Sequence, residues 1–152
     1  MAESRAKRMQ VVLSLALRQE DEAAKKLSQF REQLAQEERQ LAELRDYADQ
    51  YLHAQGALRQ GVLAHELINY SSFINRVNEA CSEQETKVER YKALFQSLQQ
   101  QWRIKHQKRK SIEDLISRLQ REDNLLLDKR LQKEMDELSS QQLQRQSDNG
   151  SN

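Results

Sequence analysis

The sequence predicts an all-α fold, an antiparallel two-helix coiled-coil hairpin with a longer second helix. Three observations predict it. The 152 residues are 32% charged and 5% aromatic, with no proline and three glycines, the profile of long helices rather than of a thick globular core. Apolar residues recur at alternating steps of three and four in two separate stretches. Gly56 and Gly61, the only glycines before Gly150, fall between those stretches, where the chain must leave helical dihedrals to reverse.

The first stretch reads Leu13, Ala16, Glu20, Ala23, Leu27, Phe30, Leu34, Glu37, Leu41, Leu44, Ala48, Tyr51, Gln55 and Leu58, in which eleven of fourteen positions are apolar. Moving the comb by one residue loses most of them, so the 3.5-residue repeat belongs to the sequence. This predicts helix one over about 3–53. After a tip over about 54–65 the comb restarts with Leu63, Leu67, Tyr70, Ile74, Val77, Cys81, Gln84, Val88, Tyr91, Phe95, Leu98, Trp102, Lys105, Arg109, Ile112, Ile116 and Leu119, fourteen of seventeen apolar. This predicts helix two over about 66–138, roughly 105–110 Å long at 1.5 Å per residue. One hairpin therefore spans 1–138, and the polar stretch 139–152 reads as a disordered tail.

In an antiparallel pair joined at this tip, facing residue numbers sum to about 118–120. That places Tyr51 near Leu67, Leu44 near Ile74, Phe30 near Val88 to Tyr91, and Leu17 near Trp102. The paired part would be about 75–80 Å long. Beyond about residue 117 helix two would have no partner, and its overhang carries Leu119, Leu125, Leu126, Leu127 and Leu131, a second candidate binding surface. Acid-before-base pairs at helical spacing, Asp21 to Lys25, Glu22 to Lys26, Glu83 to Lys87 and Asp114 to Arg118, support helix and say nothing of function.

Lysine and arginine total 25 against 24 aspartate and glutamate residues, so net charge gives no argument for nucleic acid or membrane. A single cysteine, Cys81, excludes an intramolecular disulfide and fits a reducing compartment, with cytosol the default. The run Val11–Leu17 follows Arg5, Lys7 and Arg8 as in a secretion signal. It lies at the lower length limit, however, and Arg18–Glu22 follow it without a cleavage pattern. No stretch approaches the roughly 20 apolar residues of a membrane span, so direct membrane insertion is not expected.

Nothing in the sequence points to catalysis: it has no phosphate-cradling glycine loop, no Cys/His ligand set and no nucleophile in a strand–turn–helix setting. No enzyme activity, metal or cofactor is expected. His53, His65 and Glu66 flank the tip and could meet a metal if the helix ends converge, but two spaced histidines read better as solvated loop residues. Cys81 falls on the comb, as a small buried hydrophobe does. The segment 103–110 carries five basic residues, Arg103, Lys105, Lys108, Arg109 and Lys110, and no acid. The same register would set it beside Arg5, Lys7 and Arg8 as a basic collar, either a solvated face, a dock for an acidic protein surface, or a contact for nucleic acid or anionic lipid. Lys105 and Arg109 also occupy comb positions, which should loosen the seam there.

Near the tip, Tyr47 and Phe73 are large aromatics off the comb. With neighbours at helical spacing they form two stripes, Gln40, Leu44, Tyr47 and Tyr51 on helix one and Phe73, Val77, Ala80 and Gln84 on helix two. They either widen the core near the tip or form an exposed patch for a partner.

The spacing Gln40-Leu-x-x-Leu-x-x-Tyr-x-x-x-Tyr51, the glycine-containing tip, Ile68-Asn-Tyr-x-x-Phe-Ile74, and Val77, Ala80 and Gln84 beyond it resemble the FliJ family of the bacterial flagellar type III export apparatus. Trp102-Arg-x-Lys and Lys133-Glu-Met-Asp-Glu137 extend the likeness over nearly the whole chain. The resemblance implies a non-enzymatic coiled coil similar to the central-stalk γ subunit of rotary ATPases. It implies an open end, built from both termini, that docks on the export ATPase FliI, to which the basic collar would contribute. It further implies that Gln40, Leu44, Tyr47, Tyr51, Phe73, Val77, Ala80 and Gln84 bind the cytoplasmic domain of the export-gate protein FlhA, and that the family handles export chaperones. Val77 departs from a bulkier leucine expected there, and Gln84 stands where a histidine can occur. A cytoplasmic location, peripheral to the inner membrane through the export apparatus, follows from the same resemblance. A generic structural tether and a basic nucleic-acid-binding coiled coil are the alternatives.

Overall fold

A computed structural model describes residues 4–58 and 64–151 of the chain. They form two helices, α1 over Arg5–Leu58 and α2 over Ala64–Asn149, and no strand. The fold is the expected all-α helical hairpin with the longer helix second.

Ser4 starts α1 as its N-cap: its hydroxyl accepts from the Lys7 amide at 3.2 Å, satisfying an amide that has no partner within the helix, and its carbonyl accepts the first helical bond, from the Arg8 amide at 3.1 Å. Helix one does not stop at His53. It runs through Gly56 to Leu58, because one glycine costs a helix only about 1 kcal/mol, which its alanine and leucine neighbours tolerate. Gly61 lies outside the described residues. Helix two starts at Ala64 rather than Glu66, and the stretch read as a disordered tail is helical to Asn149. No glycine or proline occurs between Val62 and Asn149, and Gln, Leu and Arg, good helix formers, make up six of the eleven residues 139–149, so polarity there does not interrupt the helix. Gly150 closes it, its amide donating to the Gln146 carbonyl at 3.1 Å.

Packing divides the chain into two compact units, residues 19–105 and residues 1–18 with 106–152. In the first, Leu41, Val77 and Val88 are buried. The remaining described comb positions, from Glu20 and Ala23 to Tyr51 and from Tyr70 to Lys105, are half-buried, whereas Leu67 is exposed. Cross-helix partners set the register. Phe30 and Tyr91 stack at 5.3 Å between ring centroids, Gln84 bonds to Glu37, and Tyr51 packs on Tyr70 at 5.3 Å. These numbers sum to 121, so Tyr51 faces Tyr70 rather than Leu67. The helices end at Leu58 and Ala64, nearly symmetric about residues 60 and 61, and the sum of 121 follows from that centre.

In the second unit, Ala6, Ala16, Ile112, Ile116 and Leu119 are buried. Ala16 packs between Ile112 and Ile116, with Met9 and Leu13 against them. Leu17, expected opposite Trp102, is exposed; the small Ala16 takes the inward position. Ser4 and, on α1, Ala6, Lys7 and Gln10 border one groove with Gln120, Asp123 and Asn124 of α2, so the pairing extends past the expected limit at 117. From Gln120 to Ser151 every residue is exposed.

Candidate functional site

In the unit of residues 19–105, the two stripes sit at i, i+4, i+7 and i+11 of their helices. This spacing repeats one helical face. Four aromatic rings meet where the stripes converge. Tyr51 lies 4.6 Å from Phe73 and 5.3 Å from both Tyr47 and Tyr70 between centroids, and Tyr47 meets Phe73 edge-on at 6.3 Å. The Tyr70 hydroxyl donates to the Tyr51 carbonyl. Tyr51, Tyr70 and Phe73 are half-buried, whereas Tyr47 is 45% exposed. The cluster thus widens the interhelical core and also presents an aromatic face to solvent; the two readings open at the level of sequence both describe part of it.

The other stripe residues divide by burial. Gln40 is exposed and borders a shallow groove with Gln36, Arg39 and Glu43. Leu44 and Ala80 are half-buried and Val77 is buried, so Val77 packs into the seam rather than forming the surface. Gln84 is half-buried, and its amide donates to the Glu37 carboxylate at 2.5 Å and to the Glu37 carbonyl at 3.1 Å. Lys87 approaches the same carboxylate at 3.1 Å and lies over the Tyr91 ring at 5.7 Å. The amide of Gln84, then Lys87, holds the Glu37 carboxyl below its ordinary range. Two polar comb positions therefore meet each other in the seam, which satisfies groups that would otherwise lie unpaired among apolar neighbours. Beside this layer Arg45 pairs with Glu85 at 2.6 Å.

The exposed residues Leu67 and Ile68, the latter 68% exposed, flank a second shallow groove that continues to Arg76 and Glu79. In the sequence Ile68 opens the motif Ile68-Asn-Tyr-x-x-Phe-Ile74. Its position off the comb was the available signal that it faces outward.

The basic residues fall in different places. Arg5, Lys7, Arg8, Lys108 and Lys110 are exposed and belong to the unit of residues 1–18 and 106–152; Arg103, exposed, and Lys105, half-buried, belong to the other. Across the helices, the segment beside Lys7 is Gln120–Asn124 rather than 103–110, because the pairing at this end runs further along α2 than the tip-based register foresaw. Arg109 is only 17% exposed; it pairs with Glu113 at 2.8 Å and contacts the His106 ring at 3.3 Å. A charged comb residue is thereby balanced from its own helix. Among the described residues, no group of three or more His, Cys, Asp or Glu is placed to hold a metal ion, and no helix is long and apolar enough to cross a membrane. The His53 ring contacts the Asp49 carbonyl at 3.1 Å, and Cys81 is a free, half-buried thiol.

Long paired helices, a thin core and a solvent-facing aromatic patch define a coiled-coil interaction protein. No curated protein and no solved structure matches the chain significantly. The family described as Flagellar FliJ protein matches residues 5–148, and the chain belongs to that family. It is thus a component of the flagellar protein export apparatus.

Proposed function

We propose that the protein is a non-enzymatic coupling element of flagellar export, which engages the export ATPase FliI through its basic end and the cytoplasmic domain of the gate protein FlhA through its aromatic stripes. The observation that carries this reading is the Tyr47 face. A tyrosine left 45% exposed on a stack of three further rings is a rigid, amphipathic anchor of the kind that dominates interfaces. Gln40 and Leu44 extend the surface along α1, and Phe73 and Ala80 along α2. Val77 and Gln84 hold the helices that carry it.

Arg5, Lys7, Arg8, Lys108 and Lys110 suit an acidic protein surface, with Arg103 and Lys105 extending the basic character along α2 and Arg109 tied to Glu113. Charge of this kind governs encounter and orientation more than final affinity. The protein would act in the cytoplasm, held peripherally at the inner membrane by its partners, and would pass export chaperones between them. Binding of the FlhA cytoplasmic domain to the full chain and to its Tyr47→Ala/Phe73→Ala variant tests the reading. The double variant should lose binding by at least about tenfold, as expected for hot-spot aromatics; undiminished binding would place the gate contact elsewhere.

A further inference from the structure

The end of α2 carries a surface that the account above does not use. From Leu125 onward every residue of the helix is exposed. At about 100° per residue, Leu127, Leu131, Met135 and Leu138 fall within about 80° of one another, and they are 51–68% exposed. Four large apolar side chains aligned on one face of a solvated helix form half of a helix–helix interface.

The flanking charges indicate which half is missing. Lys129, Arg130 and Lys133 precede Glu134, Asp136 and Glu137, so the sign changes between 133 and 134. The apolar stripe is centred within a residue of that point, with Leu131 and Met135 inside and Leu127 and Leu138 outside. We propose that this segment pairs antiparallel with the same segment of a second copy of the chain. In that arrangement Leu131 faces Met135 of the second copy and Leu127 faces its Leu138. Arg130 comes beside Glu137 of the second copy, and Lys133 beside its Glu134. Asp128 breaks the sign pattern but falls opposite Leu138 and Ser139, where no acid stands. Parallel pairing would instead set the three bases against three bases and the acids against acids, which charge patterning disfavours. The contact is about 18 Å long, so association should be reversible and concentration-dependent rather than obligate.

The mass of the full chain in solution, measured across a concentration series, tests this first. It should rise from monomer to dimer; a chain that remains monomeric up to about 1 mM, where association becomes negligible, overturns the proposal. Two charge variants then test the geometry. Glu134→Lys/Asp136→Lys/Glu137→Lys makes the segment basic from 129 to 137, and Lys129→Glu/Arg130→Glu/Lys133→Glu makes it uniformly acidic. Each alone should lose self-association by at least about tenfold, and an equimolar mixture should recover it as a heterodimer. All six residues are exposed, and circular dichroism confirms that the helix persists. Dimers that survive both charge inversions overturn the interface. In a Cys81→Ser background, Leu127→Cys and Leu138→Cys chains should cross-link on mixing but not alone; cross-linking of each chain to itself would show parallel pairing and overturn the antiparallel register.

Discussion

Glu37 shows how single residues specify this seam. It is a charged residue at a comb position, 16% exposed, and Gln84 and Lys87 converge on its carboxylate. Because those contacts depress its pKa in the folded state, the stability they supply is present above the ordinary carboxylate range and is lost as pH falls through the folded value. Glu37→Gln should therefore lower the melting temperature at neutral pH, and the difference from the parent chain should shrink as the solution is acidified. Melting curves of both proteins from pH 7 to pH 3 measure this, and a difference that grows on acidification would contradict the assignment. Tyr47 and Phe73 make a second contrast. Tyr47→Ala removes a half-solvated ring and should cost about 1 kcal/mol or less. Phe73→Ala removes a half-buried ring and should cost about 1–2 kcal/mol, below the 3–5 of a fully enclosed phenylalanine. Urea unfolding separates the two; equal and large losses would show that Tyr47 is core.

The helices were legible where the pattern was apolar and illegible where it was not. The comb positions on α1 from Leu13 to Tyr51 are each buried or half-buried, because a 3.5-residue repeat defines a face before any partner is known. The end of α2 carries no such repeat, and its polarity predicts disorder; the absence of glycine and proline lets the helix continue instead. Register was recovered only approximately, because it depends on where each helix ends, and Gly56 proved compatible with helix. Two predictions belong here. Ile116→Ala removes one of the few well-buried side chains, 5% exposed against Ala16, and should cost about 2 kcal/mol, the low end for such truncations because a thin core closes easily. Deleting residues 125–152 removes a segment whose described residues are all exposed. Helical ellipticity should fall while the melting temperature of the remainder moves by no more than a few degrees, as a change well under 1 kcal/mol implies; a collapse of stability would show that the overhang packs back on the hairpin.

For the whole molecule, composition and periodicity yielded a coiled-coil interaction protein and no more. The tip-side stripes, in which the off-comb Tyr47 and Phe73 stand beside comb residues, carried the resemblance to the family. The comb sets Val77 inward, but sequence could not show that Tyr47 stays 45% exposed while Phe73, equally off the comb, is half-buried, since only the packing of the opposing helix distinguishes them. It also could not show that Arg109 is tied to Glu113, which leaves fewer free cations at the basic end than a count suggests. The central claim is that one chain engages two partners of the export apparatus through separate surfaces. Co-isolation of the FlhA cytoplasmic domain with immobilised FliI, with and without this protein, tests it most directly. The account predicts that FlhA is retained when the chain is present and is lost with Tyr47→Ala/Phe73→Ala, while the variant chain itself stays on FliI. Retention of FlhA by the variant, or displacement of one partner by the other, would contradict it.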